Sequence, residues 1–369
     1  MLSDKSRLIY SEWWNSGKLQ LAGFLQSLLR QTEKRDLIGL VINPQYLKLL
    51  KLKQVHDQYE VEAFNIIDLP EGLMKDFEVK DSEAIIFHLQ ELISHSGIEA
   101  ADVVFSIPRS SAIVKTIMVD NRLHYDEIES RVWLEANRLF PNLVGDICLD
   151  FAINGPSTQD PAQLEILIVA CRKEQLRPYL HIIHSAGLTT KVVDVNYYAY
   201  ERALLLITKR SPDVKTVAYL NINFTLMDLL GVHEGQLVYT HELSYDGHNL
   251  LKLRDQNANA TATATDAAIH QVLKNTIGLH LKHALQFFYS SRPNVRLDRI
   301  ILGGDVPATI KSVLDYVRQE TGKEVVLANP FEDMILAANV DKTKLALSAP
   351  ALMQCCGLAL RVIPHKVVN

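Results

Sequence analysis

The sequence predicts a two-lobed α/β protein with an inserted module, and three observations support this fold class. Apolar runs of strand length alternate with segments of helical periodicity from Leu37 onwards. A strand–turn–strand unit at 37–52 is matched by a second one at 216–232, which indicates an internal duplication. The chain has 369 residues, 48% of them hydrophobic, which is enough apolar material for the cores of two lobes.

Composition and charge exclude several classes of protein. Charged residues make up 22% of the chain and the formal net charge is −5, so no basic excess points to nucleic acid. No apolar run approaches the roughly 18 residues of a membrane span, and the N-terminus has no hydrophobic signal-peptide core. The cysteines show no C-x-x-C spacing, which argues against a metal or disulfide framework and favours a reducing compartment: Cys148, Cys171, Cys355 and Cys356. We therefore expect a cytoplasmic protein.

Residues 1–36 form a predicted helical extension. An apolar stripe at helical spacing follows the pair Trp13 and Trp14, and it consists of Leu21, Phe24, Leu25 and Leu28. Such a stripe covers the protein's own body more often than it docks on a partner or a membrane surface. Both interpretations stay open.

The first lobe, at 37–110, begins with the strand–turn–strand unit. Its predicted strands lie at 37–42, 47–52, 61–67 and 103–107. Before the last of them, Asp81 or Ser82 begins a helix that Gly97 ends, and Pro108 stops the last strand. This order predicts a mixed sheet with a covering helix.

A helix-and-sheet module at 111–190 is inserted into this lobe. Its predicted strands lie at 112–119, 147–153 and 164–170, and a loop at 155–158 joins the last two. Its predicted helices lie at 125–140, closed by Pro141, and at 174–185, ended by Gly187.

The second lobe, at 191–361, repeats the pattern of the first. After a strand at 191–195 and a helix at 196–208, its predicted strands lie at 216–222, 226–232, 236–242, 299–302 and 324–327. A low-complexity loop at 257–265 precedes a long helix from Ala267 to about Ser290, and a further helix starts at Pro307. Residues 362–369 form a C-terminal tail.

Two matching hairpins, one per lobe, and a late strand that ends in glycines resemble the plan of the actin-like ATPases. In that class the hairpin glycines let backbone N–H groups approach phosphate, an aspartate in each hairpin manages the metal and its water, and the late glycine turn lies against adenosine. The resemblance marks a nucleotide site made of Asn43, Gln45, Lys48, Asn221, Asn223, Thr225, Gly303, Gly304 and Asp305. A plain strand-to-helix loop is the alternative interpretation of the glycine turn.

Short motifs across 37–361 carry a more specific resemblance. They are VFSIP at 104–108, IVK at 113–115, WLEA at 133–136, FP at 140–141, LDF at 149–151, AGL at 186–188, VVDV at 192–195, LQFFYSS at 285–291, ANPF at 328–331, APAL at 349–352 and CGLALR at 356–361. Each is weak alone. Their order and spacing together resemble the PilM family of type IV pilus assembly.

The resemblance to the PilM family implies specific partners. The module at 111–190 corresponds to the subdomain shared with the cell-division protein FtsA. The family binds the N-terminal cytoplasmic tail of the inner-membrane protein PilN in a groove between the first lobe and this module, which here corresponds to Ser110, Ile113, Val114 and Lys115. Through PilN the family joins PilO and PilP and communicates with the pilus motor ATPases, which implies a peripheral location at the inner membrane.

Both hairpins depart from the family pattern at the residues that handle phosphate. Val41 stands where the first hairpin has its aspartate, and Asn43-Pro44-Gln45-Tyr46 replaces a small Gly/Ser turn. Asn221 stands where the second hairpin has its aspartate, and Asn223-Phe224 replaces the glycine. Mg²⁺ prefers carboxylate oxygen and water, so Val41 offers it nothing and Asn221 adds no negative charge. Pro44 lacks an N–H group, and the two aromatic rings add bulk where phosphate oxygens would lie.

These departures predict a pseudo-ATPase, a scaffold with no catalytic residues, no metal site and no resident cofactor, whose binding of ATP and Mg²⁺ is weak or absent. An active ATPase of the class is one alternative. A relative that serves another envelope machine, such as type II secretion or a mannose-sensitive pilus, is another. Elsewhere no catalytic constellation occurs: His181 and His184 lie three apart on one helix without a third ligand, and Cys355-Cys356 is expected to be buried packing.

Overall fold

The computed structural model describes residues 37–75, 77–98, 102–141, 144–224, 226–244, 271–291, 295–305 and 310–361. Five of the segments discussed above lie outside these residues: the extension at 1–36, Thr225, the loop at 257–265, Pro307 and the tail at 362–369.

The strands are β1 Ile38–Ile42, β2 Tyr46–Val55, β3 Gln58–Asp68, β4 Met74–Lys75, β5 Glu78–Val79, β6 Asp102–Ile107, β7 Ile113–Asp120, β8 Ile147–Pro156, β9 Gln163–Arg172, β10 Thr189–Val195, β11 Thr216–Ile222, β12 Leu226–His233, β13 Gln236–Ser244, β14 Arg299–Gly304, β15 Glu324–Leu327 and β16 Ile335–Leu336. The helices are α1 Ser82–Ser96, α2 Tyr125–Leu139, α3 Lys173–Ser185, α4 Asn196–Thr208, α5 Leu279–Ser291, α6 Ile310–Thr321, α7 Lys342–Ser348 and α8 Met353–Ala359. Within the described ranges, no helix is long and apolar enough to cross a membrane.

Two sheets repeat one strand order, which confirms the internal duplication predicted from the sequence. One sheet runs β3-β2-β1-β6-β10, with β16 added beside β3, and the other runs β13-β12-β11-β14-β15. In each, the first hairpin strand pairs in parallel with a later strand, β1 with β6 and β11 with β14. Because parallel neighbours need a crossover and hairpin neighbours need only a turn, each sheet combines a hairpin with crossover segments.

The chain divides into two compact units. Of the described residues, one unit takes 37–49, 65–196 and Arg361, and the other takes 50–64 and 197–360. The division cuts through strands β2 and β3, between Leu49 and Leu50 and between Phe64 and Asn65. The ranges of the two lobes and the inserted module were predicted from the order of helices and strands along the chain, not from their packing. These ranges stay a prediction.

Helix α1 of the first unit begins and ends where the sequence predicts. Asp81 Oδ1 accepts a hydrogen bond from Ala84 N at 3.0 Å, which satisfies a donor of the first turn. Gly97 ends the helix in the left-handed conformation, with φ 67°. The buried face follows the helical period and consists of Ile85, Leu89 and Leu92.

A small sheet within the first unit has the order β7-β9-β8. Helix α2 packs on one of its faces, in a core cluster that includes Ile128, Val132, Ala136, Ile166, Ile168 and Ala170. The predicted loop at 155–158 is wrong in its first half, because Gly155 and Pro156 continue β8. A bulge after Ile153 and the positive φ of Gly155, 113°, let the strand run on. The connection to β9 lies at 157–162.

A π turn interrupts the long helix predicted in the second unit. The described part of that helix has its π turn at Lys274–Gly278 and continues as α5 to Ser291, whereas 267–270 lie outside the described residues. The hydroxyl oxygen of Tyr316 lies only 2.3 Å from the position that a Cβ on Gly278 would take. This close approach depends on the absent side chain of Gly278, and periodicity alone does not reveal it.

Candidate functional site

The first hairpin turn uses all of its own backbone donors. Asn43 Oδ1 accepts hydrogen bonds from Gln45 N at 3.0 Å and from Tyr46 N at 2.7 Å. Asn43 N donates to Tyr46 O at 3.1 Å, and Pro44 has no N–H group. A phosphate loop works by pointing such N–H groups at the ligand. In this turn they point at the side chain of Asn43 and at the partner strand instead.

The residues around this turn are packed into the first unit. Val41, Tyr46 and Lys48 are all buried. The ammonium group of Lys48 lies 5.4 Å from the centroid of the Tyr46 ring, within the range of a cation–π contact. Gln45 accepts a hydrogen bond from Leu69 N through its carbonyl oxygen at 2.8 Å. The ring of Tyr46 therefore packs within this unit, and the prediction that it occupies the place of phosphate oxygens stays a prediction.

The second hairpin turn belongs to the second unit. Asn223 N donates to Leu226 O at 2.9 Å and closes the turn, while Thr225 lies outside the described residues. Phe224 is buried, and the prediction that its ring occupies the place of phosphate oxygens stays a prediction.

Asn221, at the position of the family's aspartate, is held in a buried hydrogen-bond network. Its Oδ1 accepts from Tyr219 OH at 3.2 Å, and its Nδ2 donates to Tyr200 OH at 3.0 Å and to Asp228 Oδ2 at 2.9 Å. The Tyr200 hydroxyl in turn donates to Gln354 Oε1 at 3.0 Å. Both amide hydrogens are therefore committed to the protein interior, and only 3% of Asn221 is exposed.

Asp228 is a buried carboxyl within this network. It lies opposite Asn221 on the β11 side and opposite Glu242 on the β13 side. The pKa of Asp228 is raised to about 7: burial raises it most, the nearby charge of Glu242 also raises it, and the hydrogen bond from Asn221 lowers it in part. Burial and the charge of Asp228 also raise the pKa values of Tyr200 and Tyr219. The carboxyl group is therefore buried between its two neighbouring strands.

The glycine turn packs against the second hairpin. Gly303 pairs with Asn221, and Gly304 pairs with Ile222, across the parallel strands β14 and β11. A Cβ on Gly304 would overlap the carbonyl group of Ile222, and one on Gly303 would overlap the ring and hydroxyl of Tyr219. Asp305 is buried, and its N–H donates to Ile222 O at 3.1 Å. The close packing of the strands is thus a sufficient reason for glycine at both positions, and no bound nucleotide is needed to explain them.

The predicted nucleotide-site residues belong to both units. Asn221, Gly303, Gly304 and Asp305 come together in the second unit, with Asn223 in the adjoining turn. Asn43, Gln45 and Lys48 belong to the first unit. In the described part of the chain, no group of three or more His, Cys, Asp or Glu side chains is arranged to hold a metal ion.

The residues predicted to contact a partner do not all face the same way. Ser110 is exposed in the one-turn 3₁₀ helix Arg109–Ser111, just before β7. Along β7 side chains alternate between faces. Ile113 packs towards the core beneath α2, and the ammonium group of Lys115 forms a 2.5 Å ion pair with Glu135 of α2. Val114, half-buried, therefore lies on the opposite face of the sheet, together with the exposed Met118.

Sequence reasoning missed the network that surrounds Asn221. Its members Tyr200, Tyr219, Asp228 and Gln354 come from four separate elements. The sequence contains one signal of this network: Asp228 is a single carboxylate within the otherwise apolar run at 226–232. A lone acid inside a buried strand indicates a hydrogen-bonded partner nearby. The identity of the partner depends on pairing that the sequence does not state.

The duplicated sheets, each with a hairpin and crossover strands, and the small sheet inserted into the first unit define a protein with the actin-like fold. The chain belongs to the PilM family, since the family model for type IV pilus assembly protein PilM matches residues 39–363. Among solved structures it is similar to a chain of the "PilM-PilN type IV pilus biogenesis complex", with TM-score 0.70 and 21% identity over 89% of this chain and 98% of that one. It is also similar to the ethanolamine utilization protein EutJ from Carboxydothermus hydrogenoformans, with TM-score 0.48 and 13% identity over 88% of each chain. A protein of actin-like ATPase fold from Bacteroides thetaiotaomicron gives TM-score 0.42 and 10% identity over 89% of this chain and 99% of that one.

Proposed function

We propose that this chain is a scaffold of type IV pilus assembly that holds the N-terminal cytoplasmic tail of a PilN protein. Membership of the PilM family supports the assembly role, and a relative of the same fold has been solved in a complex with PilN. On this proposal the chain is a cytoplasmic protein held at the inner membrane through PilN. PilO and PilP are reached through PilN, and the pilus motors are contacted from the same place.

The observation that carries the proposal is the face of the β7 sheet that points away from α2. β7 is the end strand of the order β7-β9-β8, so one of its edges has no strand beside it in the described part of the chain. Val114 and the 46% exposed Met118 give this face an apolar character. An extended tail gains backbone hydrogen bonds from an open edge and side-chain contacts from such a face.

A peptide titration tests the tail site. Isothermal titration of the full chain with a synthetic N-terminal PilN peptide should show saturable binding, and Val114→Asp should weaken it at least about tenfold, or about 1.4 kcal/mol. Two controls should bind like the unchanged protein. Lys115→Gln alters the α2 side of the same strand, and Leu347→Asp places the same new charge at a 72% exposed leucine of the other unit.

Absence of binding to the unchanged protein would remove the proposal. Equal loss in Val114→Asp and Lys115→Gln would place the tail on another surface. The titration is repeated with a chain that lacks 1–36. Stronger binding by the shortened chain would indicate that the extension occupies the same surface.

The same chain is proposed to have no ATPase activity. The first hairpin supports this most directly, since Asn43 and the adjoining strand take up the N–H groups of the turn. Val41 supplies no ligand for Mg²⁺, and the amide of Asn221 is committed to Tyr200 and Asp228. Phosphoryl transfer depends on positioning and charge stabilisation, and neither hairpin supplies the aspartate that the family pattern has there.

Titration with Mg-ATP and a phosphate-release assay test this second part. We expect no heat of binding and no release above buffer. Micromolar affinity, or turnover that disappears in Lys48→Ala or Asn221→Ala, would show an active nucleotide site. The circular dichroism of both variants is compared with the unchanged protein, so that loss of fold is not mistaken for loss of activity.

A further inference from the structure

Two cysteines lie directly opposite each other in the small sheet of the first unit. Cys148 of β8 is the cross-strand partner of Cys171 of β9. Their neighbours Ile147, Leu149 and Ala170 belong to the core cluster beneath α2, so both thiols point to the other face of the sheet. Directly opposite residues in antiparallel strands have Cα atoms about 4.5 to 5.5 Å apart, which is the separation a disulfide spans.

The surroundings of the two thiols give them different chemical roles. Cys148 is half-buried, whereas Cys171 is 5% exposed. A hydrogen bond from the Cys171 thiol lowers the pKa of Cys148, with Lys173 and Arg177 contributing positive charge, and the same bond together with burial raises the pKa of Cys171. Reactive cysteines have such partly exposed, electropositive surroundings. Cys148 therefore has the properties of an attacking thiol and Cys171 those of a resolving one.

The remaining cysteines provide a comparison within the same chain. Cys355 and Cys356 are both buried within helix α8, each with 0% exposure. Burial, followed by the neighbouring Cys355, raises the pKa of Cys356. Adjacent residues of one helix point in different directions, so these two thiols lack the facing arrangement of Cys148 and Cys171. They are expected to be inert in the folded protein.

We infer that Cys148 and Cys171 form a reversible dithiol–disulfide site that a low-molecular-weight disulfide oxidises. The Cys148 thiolate attacks one sulfur of oxidised glutathione, so that a mixed disulfide forms and one glutathione thiolate leaves. The Cys171 thiol then loses its proton to solvent and its sulfur attacks Cys148, which releases the second glutathione thiolate. Two protein thiols are oxidised, and one small disulfide is reduced to two thiols.

Because of the position of the two cysteines, their oxidation would add a covalent link between two strands of the small sheet. Cys171 follows Ala170, and Ala170 is the cross-strand partner of Ile113, the first residue of β7. A disulfide between Cys148 and Cys171 would join β8 to β9 at the end of the sheet where β7 begins. The site itself does not rest on the proposed binding of PilN, because its oxidation is read without any peptide.

Mass spectrometry of the full chain tests the inference. The folded protein is incubated with oxidised glutathione, quenched in acid and digested. The intact mass should fall by two hydrogen atoms, a Cys148–Cys171 linked peptide should appear, and Cys355 and Cys356 should react with an alkylating agent only after denaturation. Dithiothreitol should restore the original mass.

Single variants separate the two roles. Cys171→Ser should retain one glutathione on Cys148, because the resolving thiol is gone, and Cys148→Ser should retain none. If circular dichroism shows that Cys171→Ser does not fold, Cys171→Ala is used in its place. An unreactive protein, a persistent mixed disulfide in the unchanged chain, or faster oxidation at Cys355 or Cys356 would overturn the inference.

Discussion

At the scale of single residues, Asp228 shows how a buried carboxyl links stability to pH. Its pKa is raised to about 7, because burial and the charge of Glu242 together outweigh the opposing hydrogen bond from the Asn221 amide. An ordinary aspartate has a pKa near about 4. The folded state therefore binds the proton more tightly than the unfolded state. The stabilisation is fully present below about pH 4 and is lost as pH rises to about 7.

Asp228→Asn should remove this dependence. Between about pH 4 and 7 the unchanged protein should lose stability by about 1 kcal/mol per pH unit from this group, and the variant should not, because its amide does not titrate. Urea unfolding at a series of pH values measures the difference. Asp213→Asn, at an exposed site, is the matched control and should keep the slope of the unchanged protein. A slope unaltered in Asp228→Asn would contradict the raised pKa.

Gly304 is a second residue whose role is set by close approach. Its φ is 118°, and a Cβ there would overlap the backbone of Ile222. Gly304→Ala should therefore destabilise the protein by more than about 3 kcal/mol, since both strain and overlap act. Gly322 also has a positive φ, 61°, but it faces open space. Gly322→Ala should cost only about 1 kcal/mol in chemical denaturation, and equal costs at the two sites would refute the packing argument.

At the scale of elements, patterns that depend on neighbours in sequence were predictable. The hairpin strands, the cap at Asp81 and the bounds of α4 all follow from period, turn residues and caps, which are local. The continuation of β8 through Pro156 and the π turn before α5 were missed, because a bulge extends the strand and the approach of Tyr316 to Gly278 at the π turn depends on residues distant in sequence. For the same reason the sequence located both hairpins but did not reveal where the Asn221 side chain is bound.

The first hairpin provides a test at this scale. Asn43→Ala removes the acceptor of two backbone N–H groups and should lower the free energy of unfolding by about 1 to 2 kcal/mol. Gln45→Ala is the control, because the hydrogen bond from Gln45 uses its backbone and survives the change. Urea denaturation of both variants measures the costs. An unaltered stability in Asn43→Ala would mean that the turn does not depend on its side chain.

At the scale of the whole molecule, the duplicated fold and the altered hairpins show that a fold and the chemistry of its ligand site are distinct properties. Two sheets of one strand order persist, while the polar groups of each hairpin are used internally. A fold specifies where a ligand site would be, and the side chains at that place decide whether a ligand binds. The tail site and the nucleotide site are therefore independent properties, and one measurement can compare them.

The melting temperature measured with and without each ligand allows that comparison. A ligand that binds only the folded state at a hundred times its Kd stabilises it by about 2.7 kcal/mol, whereas a ligand that does not bind has no effect. The PilN peptide should therefore raise the melting temperature in proportion to the logarithm of its concentration, and Mg-ATP at millimolar concentration should leave it unchanged. Val114→Asp should abolish the peptide's effect and Leu347→Asp should preserve it, because only the first lies on the face proposed for the tail. A shift with Mg-ATP and none with the peptide would reverse the assignment of function, since the altered hairpins would then bind nucleotide in spite of their side chains.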